Sequence, residues 1–125
     1  MTKVVTLAPE VDAGGRVTRY LADRDVVVSA GHTNASRDQL SIVIDQGLSM
    51  VTHLGNGCPV ALPRHDNIIQ RVLSLRKSLW IGFIPDGHHI DFFALKNYLD
   101  LVGLDRAIMV TDAISASGLG AGTYE

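Results

Sequence analysis

Asp25-Val26-Val27-Val28-Ser29-Ala30-Gly31-His32 decides how the rest of the chain is read. A β-branched apolar run ends here on a glycine and a histidine, with no polar–apolar alternation. Such a run reads as a strand buried on both faces of a parallel sheet. The period then changes to that of a helix. Ser36 and Gln39 have capping-box spacing, Leu40, Val43 and Ile44 form an apolar stripe, and Gly47 stands where a helix end takes a positive φ.

The same unit recurs on both sides. Upstream, Lys3 to Ala8 forms a run ending at Pro9-Glu10, and Val17, Tyr20 and Leu21 fall on one helical face, with Gly14 and Gly15 blurring its start. Downstream, Ser49 to Thr52 ends at His53. A loop with Pro59, Pro63 and Asn67 follows, then a helical face of Ile68, Ile69, Val72 and Leu73. Leu79 to Ile84 ends near Asp86-Gly87-His88-His89, and Asp91 is placed to cap a helix carrying Phe92, Ala94, Leu95, Tyr98 and Leu99, stopped by Gly103. A fifth run, Ala107 to Thr111, ends at Asp112. The order βαβαβαβαβ implies right-handed crossovers and a parallel sheet. Periodicity leaves two architectures open, a doubly wound sheet and an arc of a (β/α)8 barrel.

A chain of 125 residues, 46% hydrophobic and 19% charged, has a globular composition with room for one sizeable core. The net charge of −2 comes without a basic stripe, which argues against a nucleic-acid partner; Arg71 to Lys77 reads as the solvated side of one helix. No signal peptide or run long enough for a membrane span is visible. The single cysteine, Cys58, precludes an intramolecular disulfide, and a cytoplasmic location is the expectation.

Every run ends in a residue able to bind a metal or move a proton: Glu10, His32, His53, His89 or His88, and Asp112. In parallel α/β folds the C-terminal strand ends share one side, where active sites form. A carboxylate and two imidazoles suffice for a zinc first shell with an open position, and zinc brings the pKa of its water to about 7. An aspartate at a neighbouring strand end could carry the proton. Singly, each has a bland reading: a strand-end histidine is more often a polar loop residue, Glu10 a solvated carboxylate, and Asp112 a cap. Five in succession weigh against five independent bland reasons.

The strings Val5-Thr6-Leu7-Ala8-Pro9-Glu10, Ser29-Ala30-Gly31-His32-Thr33-Asn34-Ala35, Thr52-His53-Leu54-Gly55-Asn56-Gly57, Asp86-Gly87-His88-His89 and Val110-Thr111-Asp112-Ala113 resemble, in order, those of N-acetylglucosamine-6-phosphate deacetylases of the amidohydrolase superfamily. The resemblance implies a partial TIM barrel of metal-dependent hydrolase type over residues 1–125, about half of a full barrel, without the flanking strands and the β-sandwich. It implies Glu10, His32 and His53 as ligands of a divalent metal, Zn2+ first, Fe2+ or another ion as alternatives. Asp112 would be the catalytic residue that activates water and protonates the departing amine. Asn56, the Gly57 backbone and Arg64 would meet the sugar phosphate, a guanidinium suiting that anion through bidentate bonds. His89 would contact the substrate, a phosphorylated N-acetyl amino sugar, and a homodimer would share Arg64 and His89 across its interface. His88, His65 and Cys58 match no role. Gly55 and Gly57-Cys58 stand where the family usually has an aromatic residue and Ala-Met, and His65-Asp66-Asn67 where it has Glu-Pro-Gly. These departures touch the sugar and phosphate loop and leave open a related amidohydrolase with another amide substrate, or a non-catalytic piece. The tail from Gly118 to Glu125 shows no following element.

Overall fold

The computed structural model describes residues 1–124. Five short strands, β1 (Val4–Leu7), β2 (Val27–Ala30), β3 (Leu48–Val51), β4 (Trp80–Phe83) and β5 (Ala107–Met109), alternate with helices α1 (Arg16–Ala22), α2 (Arg37–Asp45), α3 (Ile68–Ser74) and α4 (Phe92–Val102). All pairings are parallel and the spatial order is β1-β2-β3-β4-β5. A doubly wound sheet reverses its strand order at a switch point; this one never does, so the chain is an open arc of a (β/α) barrel.

Parallel register sorts the strand residues into two faces. Val28, Ala30, Val51, Ile81 and Phe83 form one core with Leu40, Val43, Val72, Leu73, Leu95 and Val102 from the helices. The expectation of strands buried on both faces fails on the other side. Val4, Val27 and Trp80, paired through Val4↔Val27 and Met50↔Trp80, are 50%, 42% and 44% exposed. An arc covers its convex face with its own helices but leaves the concave face to side chains across the barrel. Higher on that face the residues are polar: the Thr6 and Thr52 hydroxyls lie 3.0 Å apart and those of Ser29 and Thr52 2.7 Å apart.

The α2 capping box forms as its spacing predicts: Gln39 N–H donates to Ser36 Oγ at 3.1 Å and Ser36 N–H to Gln39 Oε1 at 2.8 Å. Asn67 caps α3 through Gln70 N–H at 3.0 Å. Asp91 holds the N-cap position of α4 but makes no side-chain cap bond, and Phe92 is 66% exposed. The face of α1 that carries Val17 and Tyr20 turns outward. Val17 and Tyr20 are exposed and Thr18 is fully buried, because Asp12 turns the helix start: its carboxylate accepts from Val17 N–H, Thr18 N–H and Thr18 Oγ1. Burial alone would raise the Asp12 pKa; these donors together hold it below the usual carboxylate value.

Candidate metal and active site

The residues singled out in the sequence stand at the C-terminal ends of the strands, on one rim of the arc. Glu10 lies in a 3-10 turn (Pro9–Val11) directly after β1, His32 follows β2, His53 follows β3, His89 lies between β4 and α4, and Asp112 follows β5. Three of them share a feature invisible in the sequence. His32, His53 and Asp112 have φ of +50°, +31° and +51°, a region that side chains other than glycine seldom occupy. Such backbone conformations gather at functional sites, where the surroundings over-determine them.

The two imidazoles meet edge to face, with ring centroids 4.9 Å apart and planes at 80°. His53 is 3% exposed; Leu54 N–H donates to Gly82 O at 2.8 Å, and a Cβ on Gly82 would lie 3.1 Å from His53 N. The glycine in β4 therefore lets the His53 backbone close onto the sheet. His53 Nε2 faces Asp112 Oδ2 at 3.8 Å, while its enclosed Nδ1 has no hydrogen-bond partner among the described residues. The Nδ1 edge of the exposed His32 ring faces Gly57, where an added Cβ would come within 2.6 Å of that nitrogen. Gly57 has φ +66° and so brings the β3–α3 loop against the ring.

Glu10 is held from the neighbouring strand end. Thr33 Oγ1 donates to Oε2 and Asn34 N–H donates to Oε1 at 2.9 Å. Burial pushes the Glu10 pKa up, but the Thr33 hydroxyl and the Asn34 amide outweigh it and leave it below the usual value, so the carboxylate is charged at neutral pH. One carboxylate and two imidazoles are a suitable donor set for a divalent cation, and the enclosed His53 Nδ1, without a hydrogen-bond partner among the described residues, leaves that ring short of one polar contact. Among the described residues, no three His, Cys, Asp or Glu side chains already stand close enough to grip one ion. The structure brings His32, His53 and Asp112 together and ties Glu10 to the His32 loop.

The remaining candidates lie around this rim. Asn56 is partly buried, its N–H bonded to His53 O at 2.9 Å and its Nδ2 enclosed without a partner among the described residues. Arg64 and His65 are exposed. His89 Nδ1 lies 2.6 Å from Asp86 Oδ2, and Asp86 Oδ1 also accepts the N–H groups of His88 and His89 at 2.9 and 2.8 Å. The His89 and His88 donors hold Asp86 far below the usual carboxylate range. His88 therefore contributes its backbone. Cys58 Sγ donates to Gly55 O at 3.4 Å, a loop contact. A surface groove of about 510 Å³ beside Asp12, Arg16 and Tyr20 touches none of the candidate residues.

Thr33 and Asp86 carry no role in the sequence reading. Thr33 directly follows His32 and Asp86 lies three residues before His89, and that adjacency is the only signal the sequence carries. Arg71 corrects an expectation: its side chain is only 15% exposed, and it donates from Nε to Asp66 Oδ1 at 2.6 Å and from Nη1 to Ala35 O at 3.1 Å. It pins the loop after β2 rather than forming a solvated helix side.

No family model matches the chain. It is 34% identical over its full length to the N-acetylglucosamine-6-phosphate deacetylase of Bacillus subtilis, covering 31% of that protein. It is 30% identical over 98% of its length to the N-acetylgalactosamine-6-phosphate deacetylase of Escherichia coli, covering 32% of it. A mutant N-acetyl-D-glucosamine-6-phosphate deacetylase from Mycobacterium smegmatis, solved in complex with N-acetyl-D-glucosamine-6-phosphate, superposes with a TM-score of 0.85 at 30% identity, over 98% of this chain and 32% of that one. Over its whole length, therefore, the chain matches a segment of the N-acetylglucosamine-6-phosphate deacetylase family and spans about a third of the length of the relatives it matches.

Proposed function

We propose that this chain supplies the metal-binding and proton-transfer wall of a cytoplasmic, divalent-metal-dependent deacetylase of N-acetylglucosamine 6-phosphate, which yields glucosamine 6-phosphate and acetate. The observation that carries the reading is the convergence of His32, His53 and Asp112 on one rim, each in a left-handed backbone conformation. Glu10, His32 and His53 would hold the cation, Zn2+ in the first instance. Bound there, it would supply Lewis acidity toward water and the acetyl carbonyl.

Asp112, with a side chain 59% exposed beside His53, is open to a water molecule. It would accept the proton of the attacking water and return it to the amine nitrogen as the C–N bond breaks, leaving the amine and acetic acid, which ionises to acetate by giving its proton to solvent. Asn56, the Gly57 backbone and Arg64 would take the sugar phosphate. With Asp86 Oδ2 2.6 Å from His89 Nδ1, a proton on that nitrogen would leave Nε2 free to meet the substrate. The exposure of Arg64 and His89 accords with a homodimer in which each reaches a partner's site.

A second reading, N-acetylgalactosamine 6-phosphate as substrate, is favoured by the similarity to a deacetylase of that sugar and by the altered loop at Gly55, Gly57 and His65. Acetate release from both sugar phosphates, with and without chelator, tests the reading. Chelator-sensitive release from the gluco sugar with at least a tenfold preference supports it. Preference for the galacto sugar supports the second reading, and no release from either overturns both.

A further inference from the structure

We infer that Thr33 is a positioning residue for Glu10, holding the carboxylate oriented for a cation it shares with His32; the inference rests on the metal-binding reading above. Thr33 is 6% exposed although it sits on the rim, and its hydroxyl both accepts and donates. Ala35 N–H donates to Thr33 Oγ1 at 3.0 Å, so the single hydroxyl proton is free to point at Glu10 Oε2, where Oγ1 donates. Asn34 N–H fixes the other oxygen at 2.9 Å.

The loop making these bonds is itself anchored, since Arg71 Nη1 donates to Asn34 O at 3.3 Å and to Ala35 O at 3.1 Å. Each carboxylate oxygen can accept about two bonds, so one donor on each leaves both oxygens able to meet a cation. A free glutamate side chain would have to freeze its torsions on binding, whereas this one is frozen beforehand. Because the clamp comes from the residue directly after His32, the carboxylate and the imidazole are tied to one loop. Groups that orient ligands in this way contribute about 10–100-fold to metal affinity.

The test is Zn2+ affinity of the purified whole protein, measured by competition with a chromophoric chelator, for wild type, Thr33→Val and Thr33→Ser. Thr33→Val keeps the shape and removes the hydroxyl; its Kd should rise about 10–100-fold, while Thr33→Ser should stay within about threefold of wild type. A second comparison covers poor folding of the valine variant. In a Glu10→Ala background, Thr33→Ala should leave the residual Kd unchanged, because the hydroxyl acts only through Glu10. A further loss there would mark Thr33 as merely structural and overturn the inference. Equal Kd for wild type and Thr33→Val would overturn it while leaving the metal site standing. Absence of Zn2+ binding by wild type would overturn the metal-binding reading and the inference with it.

Discussion

Replacing Gly31 by alanine tests the packing beneath the site. Gly31 precedes His32 and is wedged between β1 and the end of β3: an added Cβ would lie 2.5 Å from Thr6 Cγ2 and 3.2 Å from Thr52 Cβ. Carbon atoms rest about 3.5–4.0 Å apart, so the first contact overlaps by about 1 Å. Rotating the Thr6 methyl away carries Oγ1 with it and breaks the 3.0 Å bond to Thr52. Overpacking costs about 1–3 kcal/mol and the lost hydrogen bond about 1 kcal/mol, so Gly31→Ala should destabilise by about 2–4 kcal/mol. In urea, with a slope of about 2 kcal/mol per molar, the midpoint should fall by about 1–2 M. Thr6→Ser deletes the clashing methyl and keeps the hydroxyl, so the double variant should recover at least half of the loss, the Thr52 contact accounting for the rest. A double variant no more stable than the sum of the two single changes would refute the reasoning, as would an unshifted midpoint for Gly31→Ala.

Asp112→Asn should lower kcat about 10²–10⁴-fold while metal content, measured by elemental analysis, stays at the wild-type level; comparable turnover would remove Asp112 from the proton path. Asp12→Ala strips the acceptor from Val17, Thr18 and the Thr18 hydroxyl and should cost about 1–2 kcal/mol in chemical denaturation, the scale of a lost helix cap. The folded Asp12 carboxyl is depressed. Its stabilisation is therefore full above the unfolded carboxylate pKa of about 3.9 and is lost as pH falls through the folded value. The gap between wild type and Asp12→Ala should close in acid and remain flat from pH 5 to 8, as denaturation midpoints across pH would show.

What could be read from the sequence was local or periodic. The Ser36–Gln39 box lies within one helical turn, and each strand announced itself by a β-branched run ending in a polar residue. The strand-end rule then placed Glu10, His32, His53 and Asp112 on one rim without coordinates. What could not be read depends on side chains that break the helical period or on partners distant in the chain. Whether Val17 or Thr18 faces inward is decided by Asp12 five and six residues earlier, and the Arg71 clamp spans 36 residues to Ala35. The exposed Val4, Val27 and Trp80 follow from the openness of the arc, which no apolar run discloses. Left-handed φ at His32, His53 and Asp112 has no sequence signature, since side chains larger than glycine give no warning of it.

Diffraction at the absorption edge of zinc, from crystals of the protein grown with that ion, addresses the central claim most directly. The account predicts one anomalous peak contacted by Glu10, His32 and His53, with Asp112 alongside, and loss of that peak in His53→Ala. A peak elsewhere on the molecule, or none at a Zn2+ concentration that supports turnover, would contradict it.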